Sequence, residues 1–94
     1  MVLIVEKHID FRANSFSVRM SLRQLPFEDQ VNYVRENKQT LYDVLIEYLS
    51  ENKSAMKKIG DFKFYYVSNI TVTRASEVEF LFSLKPGIEE ELNS

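Results

Sequence analysis

The chain has 94 residues, the length of one domain, with no cysteine and a formal net charge of −2. These values exclude disulfides, thiolate catalysis and cysteine-bound metal centres, and they give no overall attraction to nucleic acid or to anionic membranes. We therefore expect one domain over residues 1–94, located in the cytoplasm and with no membrane-spanning segment. We expect the acidic tail over residues 87–94 to form a last helical turn or to fray.

The N-terminal part of the chain is predicted to form a β-hairpin. Apolar and polar residues alternate over residues 3–11 and again over residues 16–22, on either side of a turn at residues 12–15. Pairing Phe11 with Phe16 places Lys7 on the apolar side of the sheet, opposite Met20. Because an unpaired ammonium group is costly to bury, an inward lysine indicates that the first strand lies at or near a sheet edge.

A long helix is predicted from Phe27 to Leu49, directly after Pro26, a residue that suits the first turn of a helix. Its apolar residues recur at spacings of four and three, at Phe27, Val31, Val34, Leu41, Leu45 and Tyr48. Residues 36–40 include no apolar residue, so a break near Asn37 is the alternative. The spacing keeps its phase through this segment, which favours one continuous helix.

The second half of this helix, from Leu41 to Leu49, is apolar over about 200° of its circumference. One sheet cannot cover so wide an arc. Either this half is buried on two sides within one chain, or its flanks, Val44 and Ile46, contact a second chain.

A second hairpin is predicted after Gly60. Period two places Phe62, Phe64, Tyr66, Ile70 and Val72 on the apolar face, with Tyr65 and Val67 on the other face. Ser68 falls on the apolar side, which indicates a β-bulge. Alternation from residue 77 to residue 84 supplies the last strand, with Leu81 facing outward.

These elements predict an α+β domain with two layers and the order ββαββ. The sheet is four-stranded and mainly antiparallel, and one long helix, continuous or broken near Asn37, packs on one face. The order of the strands within the sheet stays open.

The residues that carry chemistry are too few for an enzyme. His8 is the single histidine, so neither a two-histidine metal site nor a cysteine–histidine pair can form. Gly60 and Gly87 are the two glycines, so the chain lacks a phosphate-binding glycine-rich loop. We expect no catalytic, metal-binding or cofactor-binding site.

Elimination and the wide apolar arc favour a protein–protein interaction domain, such as an accessory subunit, an adaptor or an inhibitor. We expect self-association into a homodimer through the helix, and a foreign protein partner is the alternative. The predicted interface residues are Tyr33, Val44, Ile46, Tyr48, Val67 and Leu81.

A nucleic-acid-binding sheet face is the alternative function. Its candidate contacts are Arg19, Arg23, Lys63 and Tyr65, because basic and aromatic side chains on a sheet can stack with bases. Against it, the hairpin register places Glu6 and Asp10 beside these arginines, so we expect their charges to cancel.

Overall fold

A computed structural model describes residues 7–87. They form a four-stranded antiparallel sheet and three α-helices, which confirms the predicted α+β class. The strands are β1 (Lys7–Phe11), β2 (Ser15–Ser21), β3 (Tyr65–Val72) and β4 (Glu77–Leu84), and the helices are α1 (Phe27–Glu36), α2 (Lys38–Glu51) and α3 (Lys53–Ile59). The strand residues predicted before Lys7, the side chains of Lys7 and His8, and the acidic tail after Gly87 lie outside the described residues.

The sheet has the order β1-β2-β4-β3, so the two hairpins join through their second strands. Val18 of β2 lies opposite Phe80 of β4. Because these two strands are central, the side chains on their helix-facing side are buried, namely Phe16, Val18, Met20, Val78, Phe80 and Phe82. Sequence analysis left this order open, since alternation assigns residues to faces and does not specify which strands are neighbours.

The register predicted for the first hairpin is confirmed. Phe11 lies opposite Phe16, and Lys7 lies opposite Met20. The turn is closed by the Arg12 N–H, which donates to the Ser15 carbonyl at 2.8 Å. β1 is at one edge of the described sheet, as the inward position of Lys7 predicted.

The prediction of one continuous helix is wrong, because the helix breaks at Asn37. The Asn37 backbone leaves helical geometry with φ −119° and ψ 21°, and its side chain Nδ2 donates to the Tyr33 carbonyl at 2.8 Å. Asparagine competes for backbone hydrogen bonds in this way, which is why it ends helices more often than it continues them. α2 then begins at Lys38, and three helices rather than one separate the hairpins.

α1 faces the sheet with Gln30 and Val34, both of which are buried. The Gln30 Nε2 donates to the carbonyls of Leu22 and Leu25, each at 3.2 Å. These bonds tie α1 to the loop that follows β2, and they set the rotation of the helix about its axis. The apolar stripe through Phe27 and Val31, which the spacing predicted to face the sheet, is therefore turned toward solvent.

α3 belongs to the core, although it lies between the predicted long helix and the predicted second hairpin. Its first turn is capped by Asn52, whose side chain accepts a hydrogen bond from the Ala55 N–H at 3.1 Å. The helix ends at Gly60, where a φ of 81° favours glycine. Ala55 and Ile59 are buried in the same cluster as the inward face of α2. The chain itself thus covers much of the wide apolar arc of α2, including the Ile46 flank, which packs against the core.

The β-bulge predicted at Ser68 is confirmed, because the pairing of β3 with β4 shifts between Val67 and Asn69. β3 begins only at Tyr65, since Phe62–Phe64 form a turn of 3-10 helix. The predicted strand start at residue 62 is wrong. The prediction that side chains alternate without interruption between the two faces is also wrong, because the bulge exchanges the faces of the strand residues that precede it.

The inverted phase corrects three assignments. Val67 lies opposite Phe82, and both Tyr65 and Val67 pack against the core instead of facing outward. Tyr66, predicted to be inward, has 47% of its surface exposed on the outer face of the sheet, the face away from the helices. Ile70 and Val72, which follow the bulge, keep the predicted inward side.

Candidate interaction surface

The predicted interface residues on the helices are largely engaged within the domain. Ile46 and Tyr48 of α2 and Tyr33 of α1 are half-buried and pack against the core. Val44 is half-buried as well. The dimer interface predicted through these residues stays a prediction, and the side chains do not form a continuous exposed apolar patch.

The two strand residues of the predicted interface lie on opposite faces of the sheet. Val67 is on the helix side, as described above. Leu81 is on the outer face, as predicted, where it lies opposite Ser17 of β2 and Asn69 of β3. With serine and asparagine on either side, Leu81 is an isolated apolar side chain, which is common on soluble domains.

The four candidate nucleic-acid contacts do not share one face. Arg23 is exposed in the loop after β2, and Lys63, in the 3-10 turn, lies with its Nζ 3.8 Å from an Asp61 carboxylate oxygen. Tyr65 packs inward, edge-on against Phe16 with ring centroids 5.0 Å apart. Burial raises the pKa of the Tyr65 phenol. Tyr65 is therefore turned away from the outer face on which a base would stack.

Arg19, the remaining candidate, lies on the outer face between two acidic side chains. Its Nη2 is 3.3 Å from Asp10 Oδ2 of β1, and its Nη1 is 3.9 Å from Glu77 Oε1 of β4. The predicted charge compensation of Arg19 by Asp10 is confirmed, whereas Glu6 lies outside the described residues. Sequence analysis missed Glu77, because its approach depends on the pairing of β2 with β4.

The most exposed apolar side chains are on α1. Phe27 is 64% exposed and Val31 is 51% exposed, and residues four apart lie on the same side of a helix. Sequence analysis placed both in the core. The buried Gln30 is the signal that was missed, because a glutamine that bonds to loop carbonyls can displace an apolar stripe from the sheet.

A groove of about 650 Å³ separates α1 from the outer edge of the sheet. Val31, Val34, Arg35 and Lys38 line its helical side, and residues 67–72 of β3 line the other side. β3 is an edge strand of the described sheet. We call the open edge of β3, together with Phe27, Val31, Arg35 and Lys38, the β3–α1 surface.

Two residues of β3 present unpaired backbone groups to this groove. The Thr73 N–H donates to the Glu77 carbonyl at 2.7 Å, and hydrogen-bonded residues alternate with non-hydrogen-bonded ones along an antiparallel pair. Thr71 is therefore bonded to β4, whereas the N–H and C=O groups of Ile70 and Val72 point away from β4. An added strand would find hydrogen-bonding partners there.

Charged side chains flank the exposed apolar pair. Glu28 and Asp29 are in the first turn of α1 and Arg35 is in its last turn. Arg35 and Lys38 are exposed, and neither forms an ion pair with another residue between 7 and 87. The N-terminal end of α1 is therefore acidic, whereas at its C-terminal end the two cations Arg35 and Lys38 outnumber the one carboxylate, Glu36.

The described part of the chain lacks two other kinds of site. Within residues 7–87, no three histidine, aspartate or glutamate side chains are placed to hold a metal ion. No helix in that range has the length and apolar character needed to cross a membrane. Comparisons with protein-family models, with curated proteins and with solved structures found no match to this chain.

Proposed function

We propose that this chain is a non-catalytic protein-binding domain and that the β3–α1 surface is its binding surface. One observation carries the proposal: the edge strand β3 forms one side of a groove whose other side includes Val31, which together with Phe27 is the most exposed apolar pair of the described residues. Backbone hydrogen bonds supply affinity when a partner adds a strand to such an edge, and adjacent side chains supply specificity.

The two edges of the sheet differ in a way that supports this choice. In β1 the register position opposite the buried Met20 is held by a lysine, Lys7, and a lysine at such a position on an edge strand discourages a further strand from pairing. From Asn69 to Val72, β3 has no charged residue and no proline, and its bulge interrupts pairing only on the N-terminal side of Asn69. The C-terminal half of β3 is thus the regular, uncharged segment to which a partner strand would add.

This proposal moves the binding surface away from the α2 residues predicted from the sequence. Ile46 and Tyr48 already pack against the core, so only part of each side chain is exposed to a partner. Phe27 and Val31 are exposed without any rearrangement. The proposal keeps the predicted class of function and changes the residues that perform it.

Photo-cross-linking in the cells that produce the protein tests the proposal. A photoreactive phenylalanine analogue at position 27 should form an adduct with another polypeptide on irradiation. Val31→Glu should reduce the yield, because it places a charge within the exposed apolar pair. Val72→Pro should also reduce it, because it removes an N–H that points into the groove and leaves the bonds to β4 intact.

Ile9→Pro is the matched control, since Ile9 holds the equivalent outward position on β1. Circular dichroism identifies any variant that fails to fold. If a proline variant fails to fold, the adduct yield of Val31→Glu decides the outcome, because Val31 is exposed and a glutamate there should not prevent folding. The proposal is overturned if no adduct forms, or if Val31→Glu leaves the yield unchanged.

A further inference from the structure

We infer that the occupant of the β3–α1 surface is a second copy of this chain, with β3 paired antiparallel to β3 of the other copy around a two-fold axis at Thr71. The inference rests on the proposed function and adds the partner and the register. The four-stranded sheet would then continue into an eight-stranded one across the dimer.

The charges of α1 favour a second copy over an acidic or a basic peptide. α1 lies on the sheet, so a two-fold axis perpendicular to the sheet makes it run antiparallel to its counterpart. Glu28 and Asp29 of each copy then approach the end of α1 at which Arg35 and Lys38 of the other copy outnumber Glu36. A uniformly charged peptide would meet attraction at one end of α1 and repulsion at the other end.

The backbone selects the register of the paired strands. Ile70 and Val72 present their N–H and C=O groups outward, and residues 67–69 are disturbed by the bulge. An axis at Thr71 pairs Ile70 of each copy with Val72 of the other, which uses both outward residues. An axis at Ile70 would pair Val72 with the bulged Ser68, and an axis at Val72 would pair Ile70 with Arg74 in the turn.

This register also allows favourable side-chain contacts on the outer face of the sheet and between the helix layers of the two copies. Thr71 would meet its own counterpart in a non-hydrogen-bonded pair, where side chains approach closely and two threonines can bond to each other. On the other face, Phe27 and Val31 would pack between the two α1 helices. Stable interfaces bury at least about 1,200 Å² in total, and a single strand edge needs such an added apolar contact to reach that area.

Single cysteines test the register, because the natural chain contains none. Under mild oxidation of the purified protein, Thr71→Cys should form a disulfide-linked dimer, since Cα atoms of a non-hydrogen-bonded pair lie within disulfide range. Asn69→Cys, on the same strand and the same face, is the control. Four residues separate the two copies of Asn69 along the strands, about 13 Å, so it should not cross-link.

A charge exchange tests the partner. Arg35→Glu should raise the dissociation constant of the dimer by about fivefold, and Glu28→Arg together with Arg35→Glu should restore it, because both charges of each pair are then reversed. Sedimentation equilibrium measures both values. Restoration within the same chain supports self-pairing, because a foreign partner would keep its original charges.

Each outcome bears on one proposal or the other. A monomer at high micromolar concentration, or cross-linking of Asn69→Cys in place of Thr71→Cys, overturns the two-fold dimer. If the photo-adduct at position 27 then contains a different polypeptide, the protein-binding function stands with a foreign partner. If no adduct forms, the proposed function fails as well.

Discussion

Phe16 of β2 and Phe82 of β4 stack with their ring centroids 4.7 Å apart and their planes within 5° of parallel. Tyr65 of β3 meets Phe16 edge-on, and the Tyr42 ring of α2 lies 6.2 Å from that of Phe82. One aromatic cluster thus joins three strands and a helix. Its members are distant in sequence, so it forms only when the two hairpins pair.

Every second side chain of β4 faces the core on the helix side of the sheet. Replacing one of these side chains with alanine should therefore lower the free energy of unfolding more than the same change at an outward-facing neighbour. Phe80 is fully buried opposite Val18, so Phe80→Ala should lower the free energy of unfolding by about 3–5 kcal/mol. Leu81→Ala, on the outer face of the same strand, should cost much less. Urea unfolding of both variants checks this order, and the reverse order would contradict the register of β4.

Tyr65 should contribute a pH dependence to stability in alkaline solution. Burial raises its pKa above the ordinary value of 10.0, so the folded chain holds this proton more tightly than the unfolded chain. Well below about pH 10 the phenol is neutral in both states and has no effect on the free energy of unfolding. As the pH rises further, the unfolded chain releases the proton first, and the free energy of unfolding falls until the folded phenol also ionises.

Tyr65→Phe should remove this part of the alkaline decline. Urea unfolding at several values between about pH 9 and pH 11 measures it. Tyr66→Phe, on the exposed outer face, is the control for loss of a tyrosine hydroxyl. An equal decline in the wild type and in Tyr65→Phe would show that other groups cause it.

The Asn52 cap should stabilise α3 and, through it, the core. Asn52→Ala removes the acceptor for the Ala55 N–H and should cost about 1 kcal/mol. Asn52→Asp keeps a side-chain oxygen in that position and should preserve most of the stability. Thermal unfolding of the three proteins gives the comparison, and an unchanged Asn52→Ala would mean that α3 frays without affecting the fold.

The ion pairs of Arg19 predict weak binding to nucleic acid. We expect the wild type to bind single-stranded DNA or RNA weakly and to lose this binding at about 150 mM salt, because the candidate contacts do not lie together on one face and few phosphates can be neutralised at once. Asp10→Asn with Glu77→Gln should strengthen binding by freeing Arg19. Glu28→Gln with Asp29→Asn removes the same charge elsewhere and is the control in fluorescence anisotropy.

Submicromolar binding by the wild type at 150 mM salt, abolished by Arg19→Ala, would instead favour the nucleic-acid function. A result in which both double variants bind equally would attribute the gain to net charge and not to Arg19.

One pair of substitutions separates the α2 interface predicted from the sequence from the β3–α1 surface. Val31→Lys should shift the dimer toward monomer, because it adds a charge at the centre of the proposed contact. Val44→Lys, the same change on α2, should leave the average molar mass in solution equal to that of the wild type. Light scattering over a concentration series distinguishes them, and the opposite pattern would restore Val44 as the interface residue.

The sequence by itself determined the α+β class, the register of the first hairpin, the edge position of β1 and the bulge at Ser68. Each of these depends on residues close together in the chain. Alternation of side chains across a strand, the position of an inward lysine and the length of a turn are local properties that a pattern expresses directly.

Only the tertiary structure decided the order of the strands, the rotation of α1 and the face on which Tyr65 and Val67 lie. A strand pattern shows that one face is apolar but does not identify the neighbouring strand, so the approach of Glu77 to Arg19 could not be foreseen. Gln30 rotates α1 because its amide finds carbonyls in a loop that the fold places beside it. Phe27 and Val31 are exposed on the helix that buries Gln30 and Val34, since consecutive residues project about 100° apart and the sheet covers only one side of α1.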